Sequence, residues 1–307
     1  MEIIKNLNSY NEENGLAITI GNFDGVHIGH QKIINKVIEL GRKDYLKTAA
    51  LTFYPHPMRF FGARVNVLLS ERKKIALFNN FKLDYLFVIH FDETFSGMPA
   101  EVYVKELLVK KLKVKDIVVG YDFRFGKRRS GNYEVLKLLS GKYDYTAVKI
   151  DKIEFSDVTI SSTNVRKYLA EGDVVFANKL LGRPYSLEGV VIKGRGLGKL
   201  LGFPTANIDV REGLLPAYGV YATKTIVEGK GYHSVTSIGM RPTIRDNGSL
   251  SVETMIFGFD KNIYGKFIEI EFIKHIRGEI KFPSLDELTL SMKKDVQNAK
   301  DILKDVS

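Results

Sequence analysis

Leu16-Ala17-Ile18-Thr19-Ile20-Gly21-Asn22-Phe23-Asp24-Gly25-Val26-His27-Ile28-Gly29-His30 decides how the first half of the chain folds. Its first five residues are apolar or β-branched without interruption, the pattern of a strand buried on both faces. Gly21 and Gly25 then mark a turn, and Ile33, Ile34, Val37, Ile38 and Leu40 recur at helical spacing after it. A strand, a glycine turn and a helix in that order bring unpaired helix N–H groups and the positive end of the helix dipole to the turn. The glycines let the backbone bend sharply and approach a ligand closely. His27 and His30 stand three residues apart at the helix start. Imidazoles there can donate to phosphate oxygens, more strongly when protonated.

The alternation continues on both sides of this stretch. Ala49-Ala50-Leu51-Thr52-Phe53 and Tyr85-Leu86-Phe87-Val88-Ile89 read as further strands, and Ile117-Val118-Val119 as a fourth. The spacing predicts helices over 70–81 and 98–112, the second with Pro99 in its first turn. Strands alternating with helices predict an α/β domain with a Rossmann-like parallel sheet, whose ligands sit beyond the carboxyl ends of the strands. Near residue 185 the pattern changes. Gly189-Val190-Val191-Ile192, Val220-Tyr221-Ala222-Thr223, Ser234-Val235-Thr236-Ser237-Ile238 and Phe267-Ile268-Glu269-Ile270-Glu271-Phe272-Ile273 are short β-like runs separated by glycine-rich turns. They predict a small antiparallel β-barrel. A terminal helix is expected over 284–303, with Ser284 as N-cap and Glu287 as its capping-box partner. Gly182 and Pro184 break a helix, so the expected domains are 1–183 and 184–307.

Composition narrows the function classes. The 307 residues carry 46 Lys plus Arg against 36 Asp plus Glu, a net charge of +10. Of these, 29 basic and 21 acidic residues fall in 1–185, so the excess belongs to the first domain. It is open to three readings: nucleic acid, a phosphorylated small molecule, or a solvated lysine-rich surface. With 44% hydrophobic and 27% charged residues, the chain is globular rather than disordered. No run reaches the roughly 20 apolar residues of a membrane span, and the N-terminus lacks the pattern of a secretory signal. No cysteine is present, so there is no disulfide, thiolate zinc site or cysteine nucleophile. A cytoplasmic location, with no membrane partner, is the expectation.

Further motifs carry chemistry. Ile160-Ser161-Ser162-Thr163-Asn164-Val165-Arg166 starts a helix with hydroxyls that can cap it or bind phosphate, and Arg166 can grip an anion. Gly120-Tyr121-Asp122-Phe123-Arg124-Phe125-Gly126-Lys127-Arg128-Arg129 follows the fourth strand and alternates aromatic with charged residues. Nucleic acid, a phosphorylated planar ring and plain solvent are all readings of that loop. Thr52-Phe53-Tyr54-Pro55-His56-Pro57 is a rigid turn suited to a substrate contact. In the second domain, Gly194, Gly196, Gly198 and Gly202 suit a backbone wrapped around phosphates. The following Pro204-Thr205-Ala206-Asn207 offers hard oxygen ligands for Mg²⁺. Glu253, in Ser251-Val252-Glu253-Thr254, is a lone carboxylate in an apolar strand that can deprotonate a hydroxyl attacking a phosphate, or simply face water.

The His-Ile-Gly-His turn resembles the nucleotidylyltransferase superfamily, which shares that signature with class I aminoacyl-tRNA synthetases. The whole chain, from about Leu16 to Leu303, resembles the prokaryotic bifunctional riboflavin kinase/FMN adenylyltransferase (FAD synthetase) family. Asp-Phe-Arg-Phe-Gly, Ile-Ser-Ser-Thr, Leu-Leu-Gly-Arg-Pro-Tyr, Gly-Phe-Pro-Thr-Ala-Asn and Val-Glu-Thr carry the likeness in that order. The resemblance implies two reactions, riboflavin to FMN in the barrel and FMN to FAD in the first domain. Each consumes ATP with Mg²⁺, and they release ADP and pyrophosphate. FMN and FAD are then substrate and product rather than redox cofactors.

For the adenylyl site, the resemblance implies ATP at Gly21, Phe23, Asp24, Gly25, His27, His30, Ser161, Ser162 and Arg166. It implies flavin near Pro55, His56, Asp122, Phe123 and Arg124. For the kinase site it implies ATP at Gly194, Gly198, Thr205 and Asn207, metal at Thr205 and Asn207, and Glu253 as base. His27 and His30 would stabilise the reacting α-phosphate. Lys199, Met255 and Tyr54 depart from the family pattern, where Arg, His and an acid are usual. A single-activity adenylyltransferase with a flavin-binding barrel is the alternative. A nucleic-acid partner fits less well, because the lysine-rich loop of the synthetases is missing. Monomers are expected.

Overall fold

The computed structural model describes residues 1–12, 14–63, 65–194, 196–241 and 249–306. The chain divides into two compact units, Met1–Val67 with Glu71–Ser161, and Leu68–Ser70 with Ser162–Ser307.

The first unit contains β1 (Glu2–Ile4), β2 (Leu16–Ile20), α1 (Ile28–Lys43), β3 (Lys47–Tyr54), α2 (Pro57–Phe60), α3 (Glu71–Asn79), β4 (Tyr85–His90), α4 (Glu93–Ser96) and α5 (Ala100–Val102). It continues through β5 (Val114–Gly120), α6 (Tyr133–Tyr143), β6 (Thr146–Ile150) and the small hairpin β7 (Glu154–Phe155) and β8 (Val158–Thr159). The main sheet has the order β1-β4-β3-β2-β5-β6, with every pair parallel. β2 is fully buried, as its unbroken run requires. It is also where strand order reverses: β3 and β4 lie to one side, β5 and β6 to the other. The crevice above such a strand is the usual ligand site of an open α/β sheet.

α1 buries Ile33, Ile34 and Val37 against this sheet, the stripe expected from their spacing. Its Gly41 admits close packing: a Cβ there would stand 2.2 Å from Thr48 Cγ2. The segment expected as a helix over 98–112 is different. α5 is one short turn with Pro99 as its N-cap, and Tyr103–Lys111 winds as a π-helix. The bond from Leu112 N to Leu107 O, five residues back, closes it. Tyr103, Val104, Leu107 and Leu108 are all buried. Their spacing does not distinguish the two windings, which is why periodicity alone reads an ordinary helix.

The second unit begins with α7 (Ser162–Ala170) and α8 (Val174–Leu181), followed by β9 (Tyr185–Ile192), α9 (Leu197–Leu200), β10 (Ala206–Asp209), β11 (Gly219–Val227), β12 (Lys230–Arg241), β13 (Ser249–Ile256), β14 (Phe267–Gly278) and α10 (Leu285–Leu303). Six strands close a barrel in the order β10-β13-β12-β11-β14-β9, all antiparallel. Asn178 of α8 ties that helix to the barrel: its Nδ2 donates to Phe272 O at 2.8 Å, and its Oδ1 accepts from Tyr185 N at 2.6 Å. Ser284 caps α10, accepting from Glu287 N at 3.2 Å.

The two faces of the barrel wall differ. Thr223, Thr225, Ser234, Thr236 and Thr254 are fully buried and linked by hydroxyl bonds of 2.8–3.4 Å inside the barrel. Alternation sends Val220, Ala222 and Val235 to the opposite face, where Ala299 and Leu303 of α10 cover them. On β13 the same alternation puts Ser251, Glu253 and Met255 on the α10 side.

Candidate active sites

The turn after β2 is a strained, packed structure. Phe23, Gly25 and Val26 have φ of 47°, 86° and 42°. Left-handed backbone is unfavourable for a phenylalanine and more so for a β-branched valine, by about 1–3 kcal/mol each. The surroundings hold it. Gly21 N donates to Leu51 O of β3 at 3.0 Å, Gln31 Nε2 to Val26 O at 3.0 Å, and Val26 N to Phe23 O at 3.1 Å. The ring of Phe23 folds back over Gly21, where a Cβ would meet it at 3.2 Å. Asp24 is 3% exposed.

His27 is the N-cap of α1. Its Nδ1 accepts from His30 N at 3.3 Å, and the two imidazoles stack with centroids 3.6 Å apart. Accepting at Nδ1 places the neutral ring's proton on Nε2. Gly29 lets the His27 ring lie flat, since a Cβ would stand 3.1 Å from it. The same position faces Ile160 O at 3.6 Å, so the backbone leading into Ser161 runs beside the histidine turn. Ser162 and Arg166 lie on α7, grouped with the second unit.

The other expected contacts leave the same edge of the sheet. Pro55 and His56 follow β3, and His56 caps α2 by accepting from Met58 N at 3.2 Å. Asp122, Phe123 and Arg124 follow β5, with Phe123 stacked on Phe125 at 5.5 Å. Since β3 and β5 are the two neighbours of β2, three adjacent strand ends supply the histidine turn and the expected flavin residues. One contributor has no sequence motif. Lys74 of α3 is 9% exposed, and its Nζ donates to Asn22 O at 2.8 Å.

The barrel site centres on Glu253. Thr205 Oγ1 donates to Glu253 Oε2 at 3.1 Å, and Ser251 Oγ to Oε1 at 2.9 Å. Asn207 is the cross-strand partner of Glu253 and is buried. Gly194 and Gly198 make room for these groups. A Cβ on Gly194 would stand 2.2 Å from Asn207 Nδ2, and one on Gly198 2.4 Å from Phe203 O. Arg195 lies outside the described residues, as does the side chain of Lys199.

Glu253 faces a cavity of about 460 Å³ between the barrel wall and α10, not open water. Thr205, Asn207 and Ser251 line its polar part. Phe282, Leu288, Met292 and Val296 form an apolar wall, joined by Met255. That volume and that contrast suit a planar apolar ring bearing a polar tail. Arg277 and Asp295 also line it, bound side to side through Nε–Oδ1 at 3.0 Å and Nη2–Oδ2 at 2.7 Å. His275 of β14 sets its ring at a tilt against Tyr221, with centroids 4.8 Å apart, and burial lowers its pKa from the ordinary 6.5. Sequence reading missed Ser251, Arg277 and Asp295. An aspartate within the buried stripe of an amphipathic helix was the available signal for the last.

Both parts of the chain have counterparts among known proteins. The FAD synthetase family model matches residues 9–164, and the riboflavin kinase family model matches 181–303. The bifunctional riboflavin kinase/FMN adenylyltransferase of Haemophilus influenzae is 39% identical over 305 residues, covering 98% of both chains. This chain belongs to the bifunctional riboflavin kinase/FMN adenylyltransferase family. The proteins of the same description from Buchnera aphidicola subsp. Schizaphis graminum and Escherichia coli K12 are 36% and 35% identical, each over 98% of this chain and 98% and 97% of their own. A solved structure described as a macrolide-efflux protein from Streptococcus pneumoniae matches with a TM-score of 0.88 at 28% identity, over 97% of this chain and 98% of that one. Among the described residues, no helix is long and apolar enough to cross a membrane.

The family's two reactions, phosphorylation of riboflavin to FMN and adenylylation of FMN to FAD, correspond to the two matched domains. That supports the bifunctional reading over a single adenylyltransferase with a passive barrel. The α/β domain and the closed barrel with its terminal helix agree with expectation.

Proposed function

We propose that Glu253 is the base of the kinase reaction and that the histidine turn carries adenylyl transfer, with functional domains 1–183 and 184–307. In the barrel, the 5′-hydroxyl of riboflavin attacks the γ-phosphate of ATP. The new O–P bond forms as the bond to the β-phosphate oxygen breaks, the proton passes to Glu253, and ADP leaves. The hydroxyls of Thr205 and Ser251 aim both carboxylate oxygens, and the cavity's apolar wall takes the ring system.

The residues suit a Mg²⁺ ion arriving with ATP. Thr205 Oγ1 donates a hydrogen bond to Glu253, so its oxygen keeps lone pairs for a cation beside the amide of Asn207. Among the described residues no cluster of three or more His, Asp or Glu could hold a metal unaided, which agrees with an ion held largely by substrate phosphates. The ion supplies charge neutralisation at the transferred phosphoryl group.

In the first domain, a phosphate oxygen of FMN attacks the α-phosphate of a second ATP, and the bond to the β-phosphate breaks to release pyrophosphate. His27, His30 and the N–H groups at the start of α1 stabilise the charge on the α-phosphate. Gly21, Phe23, Asp24 and Gly25 shape the turn. Ser161, Ser162 and Arg166 hold the triphosphate, while Pro55, His56, Asp122, Phe123 and Arg124 contact the flavin. Thr205, Asn207, Gly194 and Gly198 serve the kinase nucleotide. The partners are small molecules in the cytoplasm, with no nucleic acid, and the protein acts as a monomer.

The carboxylate cradle facing the cavity carries the kinase assignment. Its test is product analysis by chromatography. Glu253→Gln should lower FMN formation by about 10²–10⁴-fold and leave conversion of supplied FMN to FAD intact. His27→Ala with His30→Ala should do the reverse. Equal loss of both activities in either folded variant contradicts two separate sites.

A further inference from the structure

Lys74 stands apart from the other lysines of its neighbourhood. It lies in the run Glu71-Arg72-Lys73-Lys74 and is 9% exposed, sharing the buried face of α3 with Phe78 one turn on. Burial of an ammonium costs several kcal/mol unless hydrogen bonds replace its water. Here Nζ donates to the carbonyl of Asn22 at 2.8 Å and approaches Thr52 Oγ1 at 3.4 Å. Thr52 Oγ1 itself donates to the same carbonyl at 3.2 Å. Helix α3 and strand β3 therefore both pin one oxygen, and it belongs to the second residue of the turn after β2.

That oxygen matters because a trans peptide is planar, with its C=O and the next N–H pointing in opposite directions. Holding the Asn22 carbonyl against Lys74 and Thr52 turns the N–H of Phe23 the other way. Phe23 is also where the left-handed turn begins, at φ 47°. A strained turn persists only where its surroundings over-determine it. The charged anchor on Asn22 is a strong constraint of that kind, since hydrogen bonds from a charged donor are about twice as strong as neutral ones.

We propose that Lys74 is a positioning residue for adenylyl transfer: its buried ammonium, with Thr52, fixes the Asn22–Phe23 peptide and so the turn that receives the ATP phosphates. The assignment rests on the reading of the histidine turn as the adenylyl site. Lys74 acts through backbone and does not touch the substrate.

The test uses the full chain, with ATP, FMN and riboflavin as probes. Lys74→Met keeps the apolar stem and removes the charge. Its KM for ATP in FMN adenylylation should rise at least about 10-fold. Its riboflavin phosphorylation, measured on the same preparation, should keep a KM for ATP within about twofold of wild type. In the reverse reaction, from FAD, the KM for pyrophosphate should rise as well. Thr52→Val should raise the adenylylation KM by a smaller factor, and the double variant should show less than the product of the two effects.

If Lys74→Met lowers only the melting temperature and leaves both KM and kcat of adenylylation within twofold, Lys74 is a structural strut and the proposal is overturned. If Lys74→Met does not fold and both activities vanish, Thr52→Val decides, and an unchanged KM for ATP overturns the proposal. A wild-type protein that makes FMN but no FAD shows instead that the adenylyl reading fails, and the proposal falls with it.

Discussion

Gly194 makes room for the side chain of Asn207. Its place in a glycine-rich stretch suggests backbone curled around ATP. The geometry adds another reason: a Cβ would stand 2.2 Å from Asn207 Nδ2 and 2.6 Å from its Cγ. No side chain fits unless Asn207 moves, and Asn207 is buried opposite Glu253. Gly194→Ala should therefore displace the amide and cut kinase kcat/KM by roughly 100-fold, the scale of a 1 Å misplacement. Adenylylation of supplied FMN, assayed in parallel, should not change. Kinase activity within threefold of wild type would show that Asn207 is not needed where it sits. At this scale, legibility depended on whether a residue's chemistry shows in its neighbours along the chain. His27 and His30 are legible because they bound a glycine turn, and Glu253 because a carboxylate in Val252-Glu253-Thr254 interrupts a strand. Lys74 is not legible: a lysine among Glu71-Arg72-Lys73 reads as solvated surface, and only tertiary packing turns it toward Asn22.

At the scale of elements, α10 is both a lid on barrel core and one wall of the cavity that Glu253 faces. Ala299 and Leu303 cover Val220, Ala222 and Val235, while Leu288, Met292 and Val296 line the cavity. The Arg277–Asp295 pair locks β14 to α10 beside the cavity, with Asp295 buried. Removing one member of a largely buried pair costs about 3–5 kcal/mol, because the partner, here an Arg277 side chain only 22% exposed, is left charged and mostly out of water. Asp295→Ala should lower the midpoint of thermal loss of kinase activity by roughly 6–20 °C for a unit of this size. It should also raise the KM for riboflavin more than the KM for ATP, since the shifted wall is the apolar one. An unchanged midpoint and an unchanged riboflavin KM would mean that α10 is held by its apolar contacts alone. The helix itself was legible, down to its Ser284 cap, because amphipathic spacing and capping chemistry are local. β1, β6 and β10 were not singled out, being short segments with little local pattern, and they become strands through their partners. The π-helical Tyr103–Lys111 was read as ordinary helix for the reason its spacing gives.

At the scale of the molecule, each unit has its own sheet, its own core and its own candidate site. Gly21 to His30 with Thr52 and Lys74 belongs to the first, and Thr205, Asn207, Ser251 and Glu253 to the second. The basic excess also divides unevenly, 29 against 21 over residues 1–185. That part of the chain is the one proposed to gather ATP, FMN and pyrophosphate, all multiply anionic, which suits electrostatic attraction of substrate. If the two chemistries are separable, FMN made by one molecule should serve another. A mixture of Glu253→Gln, which lacks the base, with the His27→Ala, His30→Ala variant should convert riboflavin to FAD although neither makes FAD from riboflavin at an appreciable rate alone. FAD should appear after a lag while FMN accumulates in solution, and the lag should shorten as the kinase-competent partner is increased. Added FMN should abolish the lag without changing the final rate at saturation. A mixture that accumulates FMN but no FAD, while Glu253→Gln alone still adenylylates supplied FMN at that concentration, would contradict free exchange. FMN would then have to pass between sites within one chain.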